Sequence, residues 1–132
     1  MHIYIGGAHN GKRHYVRTKF AHEKLAWFDG ELPETDTFIN HKIVIAGLEN
    51  WLAQTDLDEQ QAIEHIMRVQ KDRSVIIILT DIGRGIVPMD ADQRKLRDTC
   101  GRLYQRLIAE ADEVTRIWYG LAQTVKKRGE KQ

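Results

Sequence analysis

The sequence predicts a parallel α/β domain, in which helices cover both faces of a β-sheet. Two short segments, Ile43 to Ala46 and Val75 to Leu79, contain only apolar residues, most of them β-branched. Unbroken apolarity, without alternation of apolar and polar residues, is typical of strands that are buried on both faces. Helical patterns separate these segments, and an alternation of strands with helices indicates the parallel α/β class.

Three further segments are strand candidates: His2 to Ile5, Lys24 to Phe28 and Val114 to Tyr119. Between the strands, the pair Asp56 and Glu59 resembles a capping box at the start of a helix. The apolar residues that follow it fall on one helical face; they are Ala62, Ile63, Ile66 and Met67.

A longer helix is predicted from Asp92 to Ala111, because its apolar residues also form one stripe. Gly101 lies inside this helix and costs roughly 1 kcal/mol relative to alanine. We therefore expect Gly101 to mark a close packing contact.

Composition limits the chain to one domain and excludes several classes of protein. The 132 residues, 42% hydrophobic, suffice for a single core over residues 1–132. The net charge is +1, which argues against nucleic acid as a partner. The middle of the chain, residues 29–65, is strongly acidic, whereas both ends are basic.

Residues 126–132 form a charged run that we expect to be a flexible tail.

Cellular location is predicted from what the sequence lacks. The one cysteine, Cys100, excludes an internal disulfide. No apolar run reaches the ~18 residues of a membrane span, so no membrane partner is expected. The N-terminus lacks the basic and long apolar regions of a secretory signal. These features predict a reduced, cytoplasmic protein.

A glycine-rich loop follows the first strand and carries the clearest functional signal. It matches the pattern G-x-x-x-x-G-K of phosphate-binding loops (P-loops) in Gly6, Gly7, Ala8, His9, Asn10, Gly11, Lys12 and Arg13. Glycines let successive backbone N–H groups point into one anion-sized cavity, and the next helix adds its positive end. Lys12 would then contact the β- and γ-phosphates of a nucleotide. A glycine-rich turn with a solvated lysine is the structural alternative.

Arg13 departs from the loop pattern, because the Ser or Thr that normally ligates Mg²⁺ stands at this position. An arginine cannot ligate a cation, and its charge would oppose one nearby. The loop therefore predicts the phosphates of a nucleotide as the ligand and argues against a bound Mg²⁺. Arg13 could instead bind a phosphate directly, or the nucleotide site could have decayed.

A second glycine-rich turn, residues 80–88, follows the strand that ends at Leu79. Ligands of open α/β sheets bind beyond the carboxyl ends of the strands. Asp81 would lie near the phosphate loop if its strand neighbours the first one. There it could bind a metal through water or accept a proton, whereas a helix-capping role is the alternative. Gly83 and Gly85 would allow a close approach of the backbone.

Together the two turns carry a resemblance to a known family. The run Thr80 to Pro88, then Arg94-Lys95-Leu96-Arg97-Asp98, Gly101 and Ala111-Asp112-Glu113-Val114 resemble the C-terminal half of the adenosylcobinamide kinase/adenosylcobinamide-phosphate guanylyltransferase family. The opening Gly6 to Lys12 resembles its phosphate loop. The resemblance implies a RecA-like P-loop fold, in which a parallel sheet is flanked by helices. It also implies ATP- or GTP-dependent phosphorylation of a cobinamide hydroxyl in cobalamin biosynthesis.

The sequence also departs from the family. The basic helix that carries the family's guanylylated histidine has no counterpart, and His41-Lys42 is the nearest match. We therefore expect the guanylyltransferase half to be lost. Ala46 occupies a position that is acidic in the family, and Glu49 occupies a threonine position.

The leading prediction is a shortened cobinamide kinase in which Lys12 and Asp81 are catalytic. Asp81 is also the one candidate metal ligand. The resemblance favours a phosphate-binding, substrate-binding or interface role for Gly83, Gly85, Arg94, Arg97 and Asp98. The expected partners are a nucleotide, a cobinamide-like substrate and further copies of the chain in a homo-oligomer. The alternatives are a non-catalytic nucleotide- or phosphate-binding protein and an assembly subunit.

Two aromatic pairs, Trp27-Phe28 and Trp118-Tyr119, fit two interpretations. They could stack on a base or a corrin ring, or they could pack in the core or at a subunit interface.

Overall fold

The structure is a computed structural model, which describes residues 1–7, 11–34, 41–71, 73–81 and 90–127. In chain order the elements are β1 (His2–Gly6), α1 (Lys12–Lys19), β2 (Leu25–Asp29), β3 (Lys42–Ala46), α2 (Leu48–Gln54), α3 (Glu59–Gln70), β4 (Val75–Thr80), α4 (Ala91–Glu110), β5 (Glu113–Trp118) and β6 (Leu121–Lys127).

The six strands form one sheet in the order β2-β3-β4-β1-β5-β6. All neighbouring pairs are parallel except β5 and β6, which form an antiparallel hairpin. In register, Ile3 lies opposite Ile77 of β4 and opposite Val114 of β5. The predicted parallel α/β class is therefore confirmed.

Two apolar clusters lie on the two faces of the sheet. Ile3, Ile45 and Ile77 face the cluster that packs against α2, α3 and α4. On the other face, Tyr4 and Ile78 pack with residues that include Val16 of α1. Residues 43–46 and 75–79 are buried throughout, as their unbroken apolarity predicts.

The cap of α3 lies two residues beyond the predicted one. Its N-cap is Asp58, whose side chain accepts a hydrogen bond from the backbone N–H of Gln61, while the Gln61 side chain accepts one from the N–H of Asp58. The helix begins at Glu59, so the Asp56–Glu59 pair is not the capping box. Both pairs have suitable spacing, and only the second caps the helix in which Ala62 and Ile66 are buried.

Gly101 does not mark a close contact, which corrects the sequence interpretation. The residue is exposed on α4, and a Cβ atom placed on it would meet no described atom within 4 Å.

The predicted tail at residues 126–132 overlaps β6, and this part of the prediction is corrected. Lys126 and Lys127 belong to the strand, and Glu113 of β5 is the partner of Lys127. The Lys126 ammonium donates hydrogen bonds to the carbonyls of Ile108 and Ala109, at 2.9 and 2.8 Å. Residues 128–132 lie outside the described residues. None of the helices in the described ranges has the length and apolar character needed to cross a bilayer.

Candidate functional site

The glycine-rich loop connects β1 to α1 at the carboxyl edge of the sheet. Gly11 adopts φ 78° and ψ 23°, the left-handed region that favours glycine, and it forms the N-cap of α1. The helix begins directly at Lys12. The predicted loop residues Ala8, His9 and Asn10 lie outside the described residues.

Gly6 is held between the two neighbouring strands. Its carbonyl accepts a hydrogen bond from the backbone N–H of Asp81, at 2.9 Å, just beyond the end of β4. On the β5 side, a Cβ atom at position 6 would clash with the carbonyl oxygen of Ile117. The start of the loop is therefore fixed, and only glycine fits this position without displacing β5.

Lys12 is a buried cation at the base of the loop. Its relative exposure is 6%, and its ammonium donates a 2.6 Å hydrogen bond to the carbonyl of Gly7. Burial lowers the pKa of Lys12, the Arg13 charge lowers it further, and the Glu49 carboxylate opposes both effects. No carboxylate in the described parts of the chain forms an ion pair with Lys12, so its charge is available to an anion.

Arg13 forms an ion pair that sequence reasoning did not name. Its guanidinium donates a 2.9 Å hydrogen bond to the carboxylate of Asp29, the last residue of β2. This hydrogen bond raises the pKa of Arg13 and lowers that of Asp29. A Cβ atom on Gly47, the N-cap of α2, would approach the Asp29 carboxylate to 2.5 Å. The carboxylate thus lies closely between Gly47 and Arg13.

Glu49 is a functional candidate that the predicted site residues omitted. It lies in the first turn of α2, directly after β3, and its Oε2 atom is buried without a hydrogen-bond partner among the described residues. Its charge acts on Lys12 and on Arg13. A carboxylate placed immediately beyond a buried parallel strand is the sequence signal that could have identified it.

Tyr104 of α4 is hydrogen-bonded to the end of β4, and the charge of Glu49 acts on it. Its hydroxyl donates a 3.2 Å hydrogen bond to the carbonyl of Thr80. Burial raises the pKa of Tyr104, and Glu49, Cys100 and Asp81 raise it further. Burial likewise raises the pKa of the Cys100 thiol to about 11, so this thiol is protonated at neutral pH and is no nucleophile.

Asp81 meets the condition under which it was predicted to face the loop. Strand β4 is the direct neighbour of β1, and Gly6 lies opposite Thr80 in register. Asp81 follows Thr80, with an exposed side chain. Lys12, Glu49 and Asp81 therefore lie at the ends of three adjacent strands, on the edge where parallel sheets bind ligands.

The other predicted residues do not join this group. Arg94 is exposed on α4, and Arg97 lies 3.6 Å from Asp98 in a surface ion pair on the same helix. Gly83 and Gly85 lie outside the described residues. A separate cavity of about 630 Å³ opens between α2, α3 and the start of α4. Its described lining includes Leu52, Asp58 and Asp90 but neither Lys12 nor Asp81.

The two aromatic pairs differ in their surroundings. Trp27 and Phe28 of β2 are half-buried, and the Arg17 guanidinium lies 4.7 Å from the centroid of the Trp27 ring. Trp118 and Tyr119 are exposed at the end of β5.

The sequence is similar to known proteins. A family model described as cobinamide kinase / cobinamide phosphate guanyltransferase matches residues 29–125. The protein described as bifunctional adenosylcobalamin biosynthesis protein CobU, from Salmonella typhimurium, is 40% identical over 52 residues. These residues are 39% of this chain and 29% of that protein, so the chain aligns with less than a third of this relative.

The family match begins at residue 29 and therefore leaves out the glycine-rich loop, although it includes Glu49 and Asp81. It extends over well more than half of the chain and confirms the resemblance that the sequence motifs indicate. The protein belongs to the cobinamide kinase / cobinamide phosphate guanyltransferase family.

Proposed function

We propose that the protein is a nucleotide-dependent phosphotransferase, which moves the γ-phosphoryl group of ATP or GTP to the hydroxyl of a cobinamide-like acceptor. The observation that carries this proposal is the buried ammonium of Lys12, which lacks a carboxylate partner among the described residues. It lies between a parallel strand and a helix N-terminus, where backbone N–H groups favour anions. Membership of a kinase and transferase family supports the same reaction class.

In this proposal Lys12 exchanges its hydrogen bond to the Gly7 carbonyl for one to a phosphate oxygen. Its charge then stabilises the negative charge on the transferred phosphoryl group. Burial lowers the pKa of Lys12 and so favours loss of the ammonium proton. The negative charge of a bound phosphate would raise this pKa again and keep Lys12 protonated.

The described residues offer oxygen ligands for Mg²⁺ in spite of Arg13. Mg²⁺ prefers carboxylate oxygens, and the buried Oε2 of Glu49 has no other partner in the described chain. Glu49 and Asp81 would hold the ion, whose positive charge would offset part of the negative charge of the phosphates. Without a metal, Asp81 would act as the base that accepts the proton of the acceptor hydroxyl.

A second candidate function is nucleotide or phosphate binding without turnover. It is favoured by Arg13, which occupies the position of the metal-ligating hydroxyl and is paired with Asp29. A third candidate is an assembly subunit, in which the exposed side of α4 with Arg94, Arg97 and Asp98 contacts further copies of the chain.

The guanylyltransferase half of the family activity is proposed to be lost, because the sequence has no counterpart of the basic histidine segment. Incubation with GTP labelled at the α-phosphate should therefore leave no acid-labile label on the chain. A phosphoramidate on any of the six histidines would contradict this proposal.

Phosphoryl transfer is tested with γ-labelled ATP and GTP, adenosylcobinamide and the purified chain, with and without Mg²⁺. Metal-dependent label on adenosylcobinamide, lost in Lys12→Ala, supports the kinase. Nucleotide binding without label transfer supports the non-catalytic protein instead. A chain that binds no nucleotide but forms a defined oligomer supports the assembly subunit.

A further inference from the structure

The β5–β6 hairpin exposes two aromatic rings at its tip. Trp118 is 60% exposed and Tyr119 is 78% exposed, with their ring centroids 5.8 Å apart and the ring planes at 43°. Large aromatic side chains gain most from burial, so neither ring stabilises the described fold from this position.

The backbone at the tip gives no structural reason for an aromatic residue. Trp118 pairs with Leu121, so Tyr119 and Gly120 are the two central residues of the hairpin loop. Their φ angles are 49° and 77°, as a type I′ turn requires. Asn, Asp and Gly favour this conformation, and Tyr119 is the only non-glycine residue with positive φ in the described ranges. A strained, exposed tyrosine indicates that its ring contacts another molecule and does not serve to stabilise the fold.

The tip lies beside the phosphate loop. Strands β5 and β1 are parallel neighbours, so both end at the carboxyl edge of the sheet. Gly6 packs directly against the carbonyl of Ile117, and the next residue of β5 is Trp118. Neighbouring strands lie about 4.8 Å apart, which places the backbone of Trp118 one strand spacing from the start of the loop.

We propose that Trp118 and Tyr119 form a stacking platform for the purine base of the nucleotide whose phosphates the loop binds. This inference rests on the proposed function, because the loop must first hold the phosphates. The four tip residues 118–121 carry no charge, which suits the neutral face of a base and not a phosphate group. Stacking on aromatic rings also accepts either purine, so the platform would admit both ATP and GTP.

The continuity with the loop favours a base over a second copy of the chain as the occupant of this surface. A nucleotide bound through its phosphates at the loop can reach the tip with its base, because loop and tip lie at the same edge of the sheet. Strand β1 leads into the loop, and β5 is its neighbour on the side away from β4.

The decisive variant is Tyr119→Asn, which keeps a residue suited to the turn and removes the ring. Binding of ATP, GTP and inorganic tripolyphosphate is measured for this variant and for the wild-type chain. We expect binding of ATP and GTP to weaken about fivefold to a hundredfold, as for other lost base–aromatic contacts, with tripolyphosphate binding unchanged. Thermal unfolding of the variant should occur at the wild-type temperature or above it. The matched control is Val125→Thr, a change at an exposed position of β6 away from the tip.

Trp118 supplies a second readout. Nucleotide should change the tryptophan fluorescence of the wild-type chain, tripolyphosphate should not, and Trp118→Phe should lose the response to nucleotide although Trp27 and Trp51 remain.

Unchanged ATP and GTP affinity in Tyr119→Asn would overturn the platform and leave the proposed function intact. A wild-type chain that binds neither tripolyphosphate nor nucleotide would overturn both. A change of oligomeric state in Tyr119→Asn at unchanged nucleotide affinity would identify the tip as an interface between copies and would also overturn the platform.

Discussion

At the scale of single residues, Lys12 and Arg13 are adjacent cations with different environments. Lys12 is buried and bonds only a loop carbonyl among the described residues, whereas Arg13 reaches across the sheet to Asp29. The glycine and lysine spacing of the loop predicted Lys12 from sequence, because that motif is local. The Arg13–Asp29 pair could not be predicted in this way, since it depends on where β2 lies in the sheet.

Arg13→Ser should make nucleotide binding more dependent on Mg²⁺, because it removes a competing cation and introduces the hydroxyl that ligates the metal in such loops. The ion pair with Asp29 is largely exposed, so its loss should lower the free energy of unfolding by no more than about 1 kcal/mol. Affinity for ATP is measured with and without Mg²⁺.

The matched control for this prediction is Asp29→Asn, which removes the same ion pair but introduces no hydroxyl at position 13. This variant should not gain Mg²⁺ dependence. If Mg²⁺ dependence of ATP binding increased equally in both variants, the ion pair, and not the missing hydroxyl, would determine how binding depends on Mg²⁺.

At the scale of elements, the start of α3 shows that two equivalent sequence signals can precede one helix. The pairs Asp56–Glu59 and Asp58–Gln61 both fit a capping box, and only the second is formed. Spacing alone could not distinguish them, because both pairs place an Asp three residues before a Glu or Gln and lead into the same apolar stripe.

Asp58→Ala should lower the free energy of unfolding by about 0.5–2 kcal/mol, because it leaves helix N–H groups without a side-chain acceptor. Asp56→Ala should change it by less than about 0.5 kcal/mol, as at other exposed positions without special contacts. Denaturant unfolding of the two variants checks this, and a larger loss for Asp56→Ala would contradict the assigned cap.

Gly101→Ala should raise the free energy of unfolding by about 0.5–1 kcal/mol, because alanine restricts the unfolded chain and meets open space on α4. Gln105→Gly, at an exposed position one turn further along α4, is the reciprocal control and should lower the free energy of unfolding by a similar amount. Destabilisation by Gly101→Ala, measured by thermal or denaturant unfolding, would mean that this face of α4 packs against something other than the described chain.

Strand β6 marks the limit of element prediction from this sequence. Most of its residues are exposed, and its two lysines suggested a tail. The strand forms because β5 offers a free hydrogen-bonding edge to it and the Tyr119–Gly120 turn reverses the chain. Neither cause is visible in the periodicity of the segment itself.

At the scale of the whole molecule, the strand order explains why distant residues form one candidate site. Placing β1 between β4 and β5 brings the loop, Asp81 and the hairpin tip to one edge of the sheet. Buried parallel strands could be predicted from the apolar runs, whereas Asp81 was expected near the loop only if its strand neighbours β1. Glu49 could have been identified as a carboxylate just beyond a buried strand, whereas the place of the hairpin tip beside the loop follows from the complete order of strands.

The central claim is that the loop between β1 and α1 binds nucleotide phosphates through Lys12. The most direct test titrates ATP and GTP into the wild-type chain and into the variant Lys12→Ala. Loss of the charge-assisted contact, roughly 1.5–3 kcal/mol, should weaken binding about tenfold to a hundredfold. Lys19→Ala, a change at an exposed lysine at the opposite end of α1, should bind like the wild-type chain. Equal nucleotide affinity in the wild-type chain and Lys12→Ala would contradict the claim and make the loop a structural turn.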